Sequence, residues 1–171
     1  MNYNLFLILN DGYIELGIVF LNSLFKNSNT KRINNIFIGD IGLCEENKEK
    51  IKKNFSKITF VNSGKNIKFK NTHDDNWIES ITYKTKLLLH VVKNNNTPII
   101  MLDSDMFVVD NFLDYIDLGV KKYDIQVCKR EVKSFRKDKI ILEYIASFFV
   151  INNSNGFDFM NKWIDEINNM N

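Results

Sequence analysis

Short apolar runs alternate with amphipathic stretches along this chain, and that alternation leaves few folds open. Asn4–Asn10, Ile36–Ile38, Ile58–Val61 and Ile99–Leu102 are too short for helices and apolar enough for strands buried on both faces. Between them, Tyr13, Gly17, Phe20, Leu21 and Leu24 fall at helical spacing, as do Ile81, Thr85, Leu88, Leu89 and Val92. Cys44–Phe55 opens on Glu45 and Glu46 and closes on Lys50, Lys52 and Lys53, the charge order a helix macrodipole favours. Asp124–Cys128 and Ser147–Ile151 read as later strands, and Phe157, Met160, Trp163, Ile164 and Ile167 as a closing helix. Repeated strand–helix units predict right-handed crossovers and an α/β fold, a mainly parallel sheet flanked by helices. The polar stretch Asn62–Asn76 reads as a loop, and no Pro/Gly-rich linker or internal repeat divides the 171 residues, so one domain over 1–171 is expected.

Ligands of such sheets bind at the carboxyl ends of the strands. Those ends carry Asn10-Asp11, Asp40, Asn62-Ser63 and Asp103, which are expected to face one crevice. The strongest local signal is Ile99-Ile100-Met101-Leu102-Asp103-Ser104-Asp105-Met106-Phe107-Val108-Val109. In an extended backbone, residues i and i+2 point the same way. Two carboxylates so placed repel unless a positive charge lies between them. A hard divalent cation such as Mg²⁺ or Mn²⁺ suits them, because it takes one or two carboxylates and completes its shell with phosphate oxygens and water. A solvated turn after a strand would carry the same letters.

Composition narrows the partners. The formal net charge is +2, and the only arginines are Arg32, Arg130 and Arg136, which argues against a nucleic-acid binder. No apolar run reaches the roughly 18 residues of a membrane span. Cys44 and Cys128 lie far apart and read as free thiols of a reducing compartment. Met1–Leu9 has neither a basic region nor a small-residue cleavage site, so it reads as a strand rather than a leader, and the expected location is cytoplasmic.

Taken together, these segments resemble the GT-A (Rossmann-like) superfamily of glycosyltransferases, nearest to the retaining group of bacterial lipopolysaccharide galactosyltransferases and glycogenin. Leu5–Asn10, Asp11-Gly12-Tyr13 and the helix ending Ser23-Leu24-Phe25-Lys26 resemble the first nucleotide-binding unit, and Gly42-Leu43-Cys44-Glu45-Glu46-Asn47 the start of the second helix. Thr82-Tyr83-Lys84-Thr85-Lys86-Leu87 precedes the Asp-x-Asp strand at the family's distance. Glu143–Asn152 resembles the strand that carries an Asn-Ser/Ala-Gly signature, with Trp163 in the following helix. The resemblance implies transfer of a sugar from a UDP-sugar donor to a saccharide or other hydroxyl acceptor. It implies that Asp103 and Asp105 bind Mn²⁺ or Mg²⁺ on the diphosphate. Leu9, Asn10, Asp11 and Tyr13 would line the nucleobase pocket, with Asp11 accepting a base N–H, and Ser104 would lie close to the ribose. Lys86, or failing that Lys84, would be the cation on the phosphate or donor sugar.

The chain departs from the family in three places. The family supplies a third metal ligand, often a His, late in the domain, whereas His73 and His90 both precede the Asp-x-Asp. The glycine of the Asn-Ser/Ala-Gly signature is replaced around Ser147-Phe148, and the chain stops soon after Trp163, so a minimal or C-terminally truncated form is expected. A second copy, in a homo-oligomer, is one source of the missing acceptor-side residues. Each residue also has a plainer reading: Asp11 as a cap of the helix after it, Tyr13 as core, Lys84 and Lys86 as solvated helix lysines, Glu143 as a surface charge. Two other functions fit the Asp-x-Asp. One is a haloacid-dehalogenase-like phosphatase, although that motif lies on the first strand and is followed by a small residue where Phe107 stands here. The other is a degenerate domain that binds nucleotide sugars without turnover.

Overall fold

The structure, a computed structural model, describes residues 1–62, 64, 75–133 and 140–169. In chain order its elements are β1 (Tyr3–Leu9), α1 (Ile14–Asn27), β2 (Ile33–Asp40), α2 (Glu45–Asn54), β3 (Ile58–Asn62), α3 (Asp75–Lys93), β4 (Ile99–Leu102), α4 (Leu113–Val120), β5 (Ile125–Lys133), β6 (Ile140–Ile151) and α5 (Asn153–Asn169). All of β1 except Ile8 is buried. A strand with no exposed face belongs in mid-sheet, covered on both sides. Accordingly β1 pairs in parallel with β2, up to Leu9↔Asp40, and with β4, through Phe6↔Met101. The sheet has six strands in the order β3-β2-β1-β4-β6-β5. β3, β2, β1 and β4 are parallel; β6 is antiparallel to β4 and β5 antiparallel to β6, so β6 alone runs against the rest.

Alternation along the strands divides the core in two. Leu5, Leu7, Ile36, Ile38, Ile100 and Val150 pack with α1, with Ile51 of α2 and with Leu113, Ile116 and Val120 of α4. Phe6, Phe37, Met101 and Phe149 pack on the other face with Leu88 and Val91 of α3 and Met160 of α5. The result is helices on both faces of a mainly parallel sheet, as the alternation predicts.

Several elements differ in extent from the sequence reading. β2 starts at Ile33 rather than Ile36, because Asn35 is satisfied within the sheet: its Nδ2 donates to Thr59 Oγ1 of β3 at 2.8 Å. α3 starts at Asp75 and so takes the end of the stretch read as a loop. Ser63 and residues 65–74, His73 among them, lie outside the described residues. α4 is new: it spans 8 residues and buries Leu113, Ile116 and Val120. β5 and β6 are longer than read and pair with each other, with a register shift between Val127 and Cys128. Cys44 is exposed, Cys128 half-buried, and both are free thiols; burial raises the Cys128 thiol above its ordinary value. Among the described residues no helix is long and apolar enough to cross a membrane.

Candidate active site

The direct pairing of β1 with β4 brings their carboxyl ends side by side. Leaving β1, the chain passes through buried Asn10, whose backbone is extended (φ −130°, ψ 176°) and whose side-chain oxygen accepts the Tyr13 N–H at 3.1 Å. This caps a short 3-10 turn over Asp11–Tyr13 that runs into α1. The first turns of α1 press on the end of β1. A Cβ added to Gly17 would lie 2.5 Å from a Leu9 methyl, so only glycine lets the helix approach with Leu9 in its seat.

Leaving β4, Asp103 donates its N–H to Ser147 O of β6 at 3.0 Å, and Met106 N–H closes back on Asp103 O at 3.3 Å. The Asp-x-Asp therefore lies in a turn and not in extended backbone as its i, i+2 spacing suggested: the chain turns at the carboxyl end of β4 on its way to α4. Beyond the turn, Val108 N–H donates to Ser23 Oγ at 2.9 Å, and Asn27 Nδ2 donates to Val108 O at 2.6 Å. The 103–108 segment is thus pinned to β6 at one end and to α1 at the other. Ser23 and Asn27 carry no sequence signal for this role, since a serine or asparagine in a helix usually serves its own backbone; Ser147 takes part through its backbone carbonyl, which any residue has.

Between the two strand ends lies a cavity of about 130 Å³, lined by Ile8, Leu9, Asn10, Tyr13, Ile41, Asp103, Ser104 and Asp105. Six of the candidate residues meet there: Leu9, Asn10, Tyr13, Asp103, Ser104 and Asp105. Ser104 is buried, Asp103 half-exposed and Asp105 exposed. Lys84 reaches in from α3 and its ammonium pairs with Asp103 Oδ1. Lys86 is exposed, with its ammonium 5.6 Å from the centre of the Tyr83 ring.

Other strand-end groups serve the fold. Asp40 is buried; its Oδ1 accepts N–H groups of Gly42 at 2.9 Å and Leu43 at 2.8 Å, and its Oδ2 binds the Lys48 ammonium at 2.8 Å. These bonds shape the turn through Gly42, which has φ 131°, and Asp40 followed by Glu45 holds Lys48 well above the ordinary lysine value. Asn62 accepts the Gly64 N–H at 2.7 Å. Among the described residues, the polar groups that meet at the cavity come from two strand ends, β1 and β4, and not from the four expected; the end of β2 contributes only the apolar Ile41. Asp11 Oδ1 accepts from Cys44 N–H and Asn47 Nδ2, both at 2.9 Å, so it ties the end of β1 to the start of α2, whereas the cap of the turn that follows it is Asn10. Asp11 is exposed and stands outside the cavity wall. Among the described residues no group of three or more His, Cys, Asp or Glu side chains is placed to hold a metal.

The fold is shared with solved glycosyltransferases. The galactosyltransferase LgtC, in complex with donor and acceptor sugar analogs, superposes with a TM-score of 0.66 at 14% identity, over 97% of this chain and 65% of that one. Mouse xyloside xylosyltransferase 1 gives 0.62 at 12% identity, over 97% and 74%. The glycosyltransferase GlyE of Streptococcus pneumoniae TIGR4 gives 0.57 at 14% identity, over 99% and 39%. The chain thus spans just under two thirds of LgtC and much less of GlyE. No curated protein sequence matches it. The fold is GT-A, and with the family profile matching residues 43–171, the chain belongs to the nucleotide-diphospho-sugar transferase family.

Proposed function

We propose that this domain binds a UDP-sugar with Mn²⁺ or Mg²⁺ and transfers the sugar to a saccharide or other hydroxyl acceptor. One observation carries the reading: Asn10 and Tyr13 from the end of β1 share a cavity with Asp103, Ser104 and Asp105 from the end of β4. In a chain of this family, that puts a group fit for a nucleobase beside a group fit for a metal diphosphate. The donor set suits a hard cation, being all oxygen. Asp103 already attracts one positive group, the Lys84 ammonium. Two carboxylates are enough for an ion that takes its remaining ligands from phosphate and water. A bound divalent cation would supply charge neutralisation on the departing diphosphate. Leu9, Asn10 and Tyr13 would hold the base and Ser104 the ribose, with Asp11 at the outer edge. The phosphate cation is assigned to Lys84 rather than Lys86; the Lys84–Asp103 pair supports this, whereas the Lys86 ammonium stands over Tyr83.

The phosphatase alternative needs its Asp-x-Asp on the first strand, and here it follows β4. The test is calorimetry of UDP with Mn²⁺ and with a chelator, followed by assays of UDP-hexose turnover. Metal-dependent binding with turnover is expected. Equal affinity in both conditions would remove the metal from the proposal, and binding without turnover would leave a degenerate nucleotide-sugar-binding domain.

A further inference from the structure

Lys84 and Asp103 are each other's partner before any nucleotide arrives. The Lys84 side chain is 14% exposed and that of Asp103 34%, so water and salt screen the pair less than an open surface pair. Lys84 has little freedom to leave by rotation of its helix, because its neighbours Thr85 and Leu87 are buried in the α3 packing face. Asp105, by contrast, is exposed. A bare divalent ion entering the cavity would meet one exposed carboxylate and one whose charge is already compensated. To use Asp103 it must displace the ammonium or sit against a like charge. A metal already bound to a diphosphate faces a smaller barrier. It brings oxygen ligands of its own, and its anionic oxygens offer the displaced ammonium a new partner.

We propose that Lys84 is a built-in competitor for the metal seat. It holds Asp103 while the site is empty and passes to the diphosphate when the donor binds, so the metal enters as its nucleotide complex and not as a free ion. This rests on the reading of Asp103 and Asp105 as metal ligands.

The experiment measures Mn²⁺ binding directly, by the loss of the free-ion electron paramagnetic resonance signal, with and without UDP. Wild type, Lys84→Met and Lys86→Met are compared, and thermal unfolding reports that each is folded. Lys84→Gln repeats the measurement if the methionine variant unfolds. Lys84→Met is expected to bind Mn²⁺ alone about fivefold more tightly than wild type, and to bind UDP with Mn²⁺ about fivefold more weakly, the scale of one partly exposed ion pair. Lys86→Met should bind Mn²⁺ alone as wild type does. Unchanged or weaker Mn²⁺ binding by Lys84→Met overturns the exchange while leaving the metal site intact. Equal tightening in Lys86→Met also overturns it, because net charge would then explain the effect. If no protein binds Mn²⁺ even with UDP, the metal assignment itself fails and takes this proposal with it.

Discussion

Asp103 and Asp105 stand in different surroundings, so a mutation at each reports something different. Asp103 is tied to Lys84, and its loss would leave a partly buried ammonium without its carboxylate. Asp105 is exposed, and substitutions at such positions usually change stability by less than about 0.5 kcal/mol. We predict that Asp105→Asn weakens UDP binding in Mn²⁺ by about tenfold or more while leaving the urea midpoint unchanged. A variant that unfolds early, or one that binds UDP normally, would remove Asp105 from the metal role. On the base side, Tyr13 is half-buried against the α1 core and lines the cavity. Stacking of a base on an aromatic ring is worth about 1–3 kcal/mol, so Tyr13→Ala should cost roughly tenfold in UDP affinity. Competition should also favour UDP over GDP in the wild type; a preference for GDP would change the nucleotide and leave the fold untouched.

The turn between β2 and α2 depends on one carboxylate. Asp40 is buried, accepts the N–H groups of Gly42 and Leu43, and pairs with Lys48, whose side chain is 14% exposed. Asp40→Ala removes the acceptor of both amides and the partner of Lys48 and should destabilise by about 3 kcal/mol, while Asp40→Asn keeps an acceptor for the amides and should cost about half of that. Urea denaturation of both variants tests the order, and equal losses would mean that the ion pair to Lys48 outweighs the turn. This carboxylate also shows where the sequence stops being informative. An Asp at a strand end reads the same whether it lines a cavity, as Asp103 does, or closes a turn two residues on, as Asp40 does. Asp11 likewise finds partners more than thirty residues away, at Cys44 and Asn47. By contrast β1, β4, α1 and α3 were legible because burial on a covered sheet dictates their apolar letters. α4 was missed because its 8 residues give barely two turns of periodicity. The lengths of β5 and β6 were missed for another reason. β4 pairs with β6 only from Phe148 to Ile151, and among the described residues β5 is the partner over Ile140–Ile145, so no third described strand imposes a buried pattern on Lys129 or Glu131.

Across the whole molecule, β1 carries the candidate site at one end and a polar knot at the other. At its start the Tyr3 hydroxyl donates to Asp117 Oδ1 at 2.5 Å, and Arg32 binds Asp117 at 2.6 Å and Asp114 at 2.7 Å. The knot joins β1, the turn before β2 and α4, elements far apart in sequence. Burial pushes the Asp117 carboxyl up, but the Tyr3 and Arg32 hydrogen bonds and the Arg32 charge outweigh it, and Asp117 ends below its ordinary value of 3.8. A carboxyl with a lowered folded value binds fewer protons folded than unfolded just below pH 4, so stability falls there as pH falls. Its contribution is complete above the ordinary value and is lost as pH drops through the folded one. The stability gap between wild type and Asp117→Asn should therefore be constant from neutral pH down to about 5 and narrow below about 4. Urea midpoints measured across that range test it. A gap that stays constant at acid pH would mean that shape, and not charge, is what Asp117 contributes. Because the knot and the cavity lie at opposite ends of β1, Asp117→Asn should also bind UDP and Mn²⁺ at pH 7 with wild-type affinity, which separates stability carried by the sheet from the binding proposed at the carboxyl ends of its strands.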